Sequence, residues 1–256
     1  GVFEFSHQFK ALCPETPLVL LLSFSKEIYK MIEGSDRSDI DYIFCWNNNT
    51  DLIIAIIKLI EDNLNADKDI SEFGVQSILL VEDSIRYYST YLPLLYRLVL
   101  EQNYNSIKDT LNERQQTMRK RSRPKILMAT NYDEAVELYD KYKSNILGVI
   151  SDIGFVIHKG DASDTEKSDA GLELCRRIRT DNPNMPFMLQ SSQESMRAEA
   201  EKLGVGFVLK NSKTLTHELA EYIGREFGFG DFVFRDDNGI EHGRASNLVE
   251  LNALLD

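Results

Sequence analysis

The chain has 256 residues, 43% of them hydrophobic and 27% charged, which supplies a packed core and argues against wholesale disorder. Its 29 Lys and Arg stand against 41 Asp and Glu, a net charge of −12. That balance speaks against nucleic acid or an anionic membrane as the partner of the whole surface, and suits a protein that binds cations or other proteins.

Cys13, Cys45 and Cys175 are scattered, and His7, His158, His217 and His242 show no ligand spacing. Neither a disulfide framework nor a structural zinc site is expected, and the compartment is expected to be reducing and cytoplasmic. The chain opens on GVFEFSHQFK, which has none of the marks of a signal peptide. The apolar runs PLVLLLSF (17–24) and DLIIAIIKLI (51–60) fall short of the about 20 residues that span a bilayer.

Strands are expected at 17–24, DYIFCW (41–46), QSILLVED (76–83), KILMAT (125–130), ILGVISD (146–152), MPFMLQS (185–191) and GFVLK (206–210). Several are unbroken apolar runs, the pattern of strands buried on both faces in a parallel sheet. Amphipathic helices are expected between them. Residues 131–142 carry Ala135, Val136, Leu138 and Tyr139, and 171–179 carry Leu172, Leu174, Cys175 and Ile178. Strand and helix in alternation imply βαβ units and a doubly wound α/β fold.

An internal repeat organises the chain. Residues 1–24 align with 171–192: each copy opens with Gly, continues as an amphipathic helix, breaks at Pro14 or Pro183, and enters a strand after Pro17 or Pro186. The match continues from 41–48 to 206–212. Residues 1–70 therefore read as the second half of a domain whose complete copy is 75–229, so that the chain begins in mid-domain.

Two segments depart from a minimal repeat. Residues 84–118 form a long helical stretch with Pro93 inside it, expected to kink the helix or mark its start, and the basic run RKRSRPK (119–125) is expected to close it. Residues 156–170 read as a polar surface insert. The tail DFVFRDDNGIEHGRASNLVELNALLD reads as a hairpin around Asn238–Gly239 and a short helix showing Leu248, Leu251 and Leu255, with more chain expected after it.

Glu82 and Asp83 close one strand and Asp152 another. In a sheet ordered 2-1-3-4-5 those strands are neighbours, and a crevice opens at their carboxyl ends. Three carboxylates converging there repel one another unless a hard cation such as Mg²⁺ neutralises them. Ser191 and Lys210, at the ends of later strands, face the same crevice. Three acids, a hydroxyl and a lysine form a set suited to handling a phosphoryl group. Taken singly, Glu82–Asp83 is also an ordinary strand end and Asp152 an ordinary N-cap, and Ser192 competes with Ser191 for its place.

The ordered set ILLVEDS, ISD, PFMLQSS and FVLK resembles the receiver domain of two-component response regulators, over roughly residues 75–229. The resemblance implies a flavodoxin-like (βα)5 receiver with sheet order 2-1-3-4-5, an extended first helix and a partial second copy. It implies Asp152 as phosphoacceptor and Mg²⁺ held by Glu82, Asp83, Asp152 and the Gly154 carbonyl. Lys210 and Ser191 would bind the phosphoryl group, with Phe207 as the switching aromatic. A histidine kinase or phosphotransfer protein would be the donor. The family's proline is missing from DIGFV, and Asn211 follows Lys210 in place of a proline. In the half-copy Cys45 stands where lysine belongs and Leu22 where Ser or Thr belongs, with Ser23 one place on, as in a pseudo-receiver.

The double arrangement and the tail are similar to the regulatory region of bacterial phosphoenolpyruvate/pyruvate-binding kinase-like proteins. Residues 230–256 would then lead to a C-terminal output or enzyme domain. The function expected is Mg²⁺-dependent phosphorylation of Asp152 that switches a partner domain, with a homodimer through 84–118 as a further contact. The alternative is a non-phosphorylated docking module that regulates a larger enzyme. An aspartate-nucleophile phosphohydrolase fits less well, because Gly154 stands where such enzymes place a second carboxylate.

Overall fold

The computed structural model describes residues 1–23, 25, 32, 34–108, 123–228, 232–236, 240–245 and 248–255. Helix α1 (Val2–Leu12) leads to strands β1 (Val19–Ser23) and β2 (Tyr42–Trp46), which pair in parallel, followed by α2 (Asp51–Ala66). Then come β3 (Ser77–Val81), α3 (Ile85–Lys108), β4 (Lys125–Ala129), α4 (Tyr132–Tyr142) and β5 (Ile146–Asp152). The series closes with α5 (Ala170–Asp181), β6 (Phe187–Ser191), α6 (Arg197–Leu203), β7 (Gly206–Leu209) and α7 (Leu215–Tyr222).

The five strands from β3 to β7 form one parallel sheet in the order β4-β3-β5-β6-β7, the doubly wound order 2-1-3-4-5. The unbroken apolar runs follow from this sheet, because both of its faces are covered. Leu79, Val81, Val149, Phe187 and Leu189 face one core with α4 and α5. Ile78, Leu80, Ile150, Met188 and Val208 face the other, beneath α3 and α7.

Helix α3 joins that second core to the N-terminal segment. Its Ile85, Tyr88, Leu92, Leu95, Tyr96 and Val99 share a cluster with Phe44 and Cys45 of β2 and with Leu52, Ala55, Ile56 and Leu59 of α2. Tyr88 donates to the Ile43 carbonyl at 2.5 Å, and the Cys45 amide donates to Ser89 at 2.9 Å. Pro93 neither starts nor ends the helix; it lies within α3. The apolar positions of α3 through Val99 are thus spent inside this chain, and the stretch 109–118 of the expected dimer helix lies outside the described residues.

Of the basic run, residues 123–125 are described, and they lead into β4. Arg123 and Lys125 are buried, and Arg123 clasps Asp62 of α2 with both terminal nitrogens, at 2.6 and 3.0 Å. Residues 119–122 lie outside the described set. The insert at 156–170 is largely exposed, as expected, with a 3-10 turn at Ser163–Thr165 and a bridge between Phe155 and Lys167. In the tail, β8 (Phe232–Arg235) and β9 (Glu241–Ala245) pair antiparallel and α8 (Leu248–Leu255) follows. The expected Asn238–Gly239 turn lies outside the described residues; of the helix leucines, Leu251 is half-buried and Leu255 exposed.

Candidate functional site

The site lies at the carboxyl ends of β3, β5, β6 and β7. Val81 pairs with Ser151, so Glu82 leaves the sheet level with Asp152, and Asp83 follows directly. One carboxylate oxygen from each of Glu82, Asp83 and Asp152 lies within 4.8 Å of the others. Lys210 follows the last residue of β7, and its amide donates to the Ser191 carbonyl at 2.8 Å, which prolongs the β6–β7 ladder into the site. Its Nζ lies 2.5 Å from Asp152 Oδ2 and 2.7 Å from Glu82 Oε2, and 4.3 Å from the centre of the Tyr87 ring.

Backbone amides complete the cradle. Asp152 Oδ1 accepts from Ile153 at 2.7 Å, Glu82 Oε1 from Ser84 at 3.1 Å, and Asp83 Oδ2 from Val156 at 3.3 Å. The Gly154 amide also favours the ionised Asp152. Ser191 is buried and accepts from the Gln193 amide at 3.1 Å, whereas Ser192 is exposed. Phe207 is half-buried against the first core, with the Arg197 guanidinium 4.8 Å from its ring centre.

Electrostatics at this edge are unbalanced, since one ammonium faces three carboxylates. Burial, then the charge of Asp152, pushes the Glu82 carboxyl up to about 8, against the pull of Lys210. Burial, then the charges of Glu166 and Asp152, pushes Asp83 up to about 7. Burial likewise raises Asp152, with Lys210 opposing. Burial alone would lower Lys210, but Glu82 and Asp152 outweigh it and raise it. Carboxylates that hold protons near neutral pH, with all-oxygen donors, fit a hard divalent cation that would displace those protons.

Sequence reading missed several members of the site. Glu166 reaches it electrostatically from the polar insert, and Tyr87 and Tyr91 reach it from α3. Gly171 sets the approach of α5: its amide donates to the Ile153 carbonyl at 2.9 Å, and a Cβ there would fall 2.0 Å from the Asp152 carbonyl oxygen. Backbone on both sides cannot yield cheaply. Gly171→Ala is expected to lower stability by about 1–3 kcal/mol and to displace Asp152, measured as a fall in the urea midpoint together with weaker Mg²⁺ binding. An unchanged midpoint would show that α5 can move away at no cost.

No protein-family model matches the chain, and neither does any curated protein. Among solved structures, a response regulator receiver domain protein from Clostridium thermocellum aligns at 16% identity and a TM-score of 0.39, covering 60% of this chain and 94% of that one. Chemotaxis protein CheY4 from Vibrio cholerae aligns at 15% identity and 0.35, covering 59% and 98%. The fold is flavodoxin-like and receiver-like, on the strand order itself. What the site does rests on its own residues.

Proposed function

We propose that residues 75–229 act as a phosphoacceptor receiver, with 1–70 as a degenerate partial copy packed on its first helix. The observation that carries this reading is the contact of Lys210 with both Glu82 and Asp152, beside a third carboxylate, at the carboxyl edge of a 2-1-3-4-5 sheet. A structural ion pair needs one acid per lysine; among the described residues this edge has two acids on one lysine and a third beside them.

An Asp152 carboxylate oxygen would attack phosphorus in line, forming an O–P bond as the bond to the donor breaks and its electron pair leaves with the donor. With a phosphohistidine of a kinase or phosphotransfer protein as donor, the leaving group is the imidazole. Glu82, Asp83 and Asp152, with the Gly154 carbonyl, would hold Mg²⁺, whose charge when bound offsets that of the phosphoryl oxygens. Lys210 would turn from the carboxylates to a phosphoryl oxygen, and Ser191 would donate to another. Movement of Ser191 and Phe207 would then bias the surface around β6 and β7. An output domain of the same parent protein is the natural reader of that surface.

The test is intact mass after incubation with acetyl phosphate and Mg²⁺, for the native chain and Asp152→Asn in parallel. One phosphoryl adduct is expected on the native chain and none on the variant. A native chain that binds Mg²⁺ yet gains no adduct would favour the non-phosphorylated docking module.

A further inference from the structure

The buried polar atoms without a hydrogen-bond partner among the described residues are Glu82 Oε2, Tyr91 Oη, and Gln190 Nε2 and Oε1. They are not scattered. Asp152 pairs in register with Gln190, and Gln190 with Val208, so Glu82, Asp152 and Gln190 stand side by side on three neighbouring strands. Gln190 has the same alternation as Met188, so its side chain leaves the sheet toward the core beneath α3 and α7. Tyr91, on α3, stacks on Tyr87 with ring centres 6.1 Å apart, and the Tyr87 ring lies 4.3 Å from Lys210 Nζ, which places Tyr91 beneath the same edge. Gln190 and Glu82 are fully buried, and Tyr91 is 1% exposed.

An unpaired buried amide or hydroxyl costs about 1–3 kcal/mol. The Asp62 carboxylate, equally buried, takes hydrogen bonds from Arg123, Tyr96 and the Ile126 amide. Deficits gathered in one row call for an occupant that both donates and accepts and is small enough for a closed interior. Water has that chemistry.

We propose that a buried water site lies beneath the acidic edge, held by Gln190, Tyr91 and Glu82, and that Gln190 and Tyr91 are positioning residues for the Glu82 carboxylate. Glu82 Oε2 is 2.7 Å from Lys210 Nζ, so the lysine neutralises this oxygen. The water, fixed by the amide and the phenol, is the second partner that holds the carboxylate in place. Its further role rests on the receiver reading: when Lys210 turns to a phosphoryl oxygen, the water remains as the partner of Glu82.

The experiment uses the full chain, native, Gln190→Leu and Tyr91→Phe, with Mg²⁺ affinity by calorimetry and urea unfolding without metal. Removal of such outer partners weakens metal sites about 10- to 100-fold, so Gln190→Leu is expected to lose about tenfold in Mg²⁺ affinity, with Tyr91→Phe changing in the same direction. Native affinity in both variants would overturn the proposal. Tyr91→Phe removes one oxygen atom and decides the matter alone if Gln190→Leu does not fold. A native chain that binds no Mg²⁺ would sink the receiver reading and leave the water to the urea arm. There, a midpoint that rises in the variant means a dry pocket and overturns the site, and an unchanged or lower one supports it.

Discussion

Asp62→Ala is expected to destabilise the chain by about 3–5 kcal/mol, the cost of leaving buried charge uncompensated. Asp62 has no exposed surface. It receives Arg123 through two nitrogens, the Tyr96 hydroxyl at 2.9 Å and the Ile126 amide at 2.9 Å, and Lys125 Nζ lies 3.5 Å away. Without it, Lys125 keeps Asp69 at 2.6 Å, but the one acid left to Arg123 among the described residues is the half-exposed Glu61 at 3.6 Å, beside the Pro124 carbonyl at 3.2 Å and the Tyr96 ring. These contacts tie α2 to α3 and β4, so the loss falls on the junction between the N-terminal segment and the sheet. Urea unfolding measures it. Asp62→Leu combined with Arg123→Met should lose less than Asp62→Ala alone, because apolar replacement of both partners removes the stranded charge. A loss below about 1 kcal/mol for Asp62→Ala would mean that water reaches the cluster freely.

Without a divalent cation, stability is expected to fall as pH rises from about 4.5 to about 8, and Mg²⁺ is expected to restore it most at the upper end. Glu82 moves from 4.5 to about 8 on folding, and Asp83 from 3.8 to about 7. A carboxyl raised in the folded state holds a proton that the unfolded chain releases. The folded state is therefore favoured at low pH and loses that advantage as pH climbs above the unfolded value. The slope levels off above the folded value. Lys210, raised as a base, adds stability throughout this window and loses it only as pH rises above the ordinary value of 10.5 and through the raised folded value. Mg²⁺ competes with the protons, so its effect should be small at pH 5 and large at pH 8. Urea midpoints with a chelator and with Mg²⁺ across that range provide the check. Since a net charge of −12 also disfavours the fold at high pH, Glu82→Gln is the control. It should flatten the slope, and a native slope unchanged by it would remove the site as the cause.

Much of this was legible in the sequence because it is local. ILGVISD became β5 with the boundaries read from the sequence, and Asn131, read as the start of a helix, caps α4 by accepting from the Glu134 amide. The acids and the lysine were found because each sits at the end of an apolar run, and the strand order brings those ends together. Gln190 sits inside such a run and gave no signal; its meaning depends on lying level with Asp152 across a strand boundary. Arg123 read as part of a basic run closing the long helix because its partner, Asp62, is 61 residues away.

Unbroken apolar runs and the punctuation between them determined an α/β chain with acids at its strand ends, since burial of whole strands and helix faces is a property of consecutive residues. Register, helix approach and the pairing of distant charges were decided only by the tertiary structure. Gly171 against the Asp152 carbonyl, Ser191 buried while Ser192 is exposed, and Asp62 closed around Arg123 all depend on distances between segments far apart in the chain. Those distances exist only once both faces of the sheet are covered.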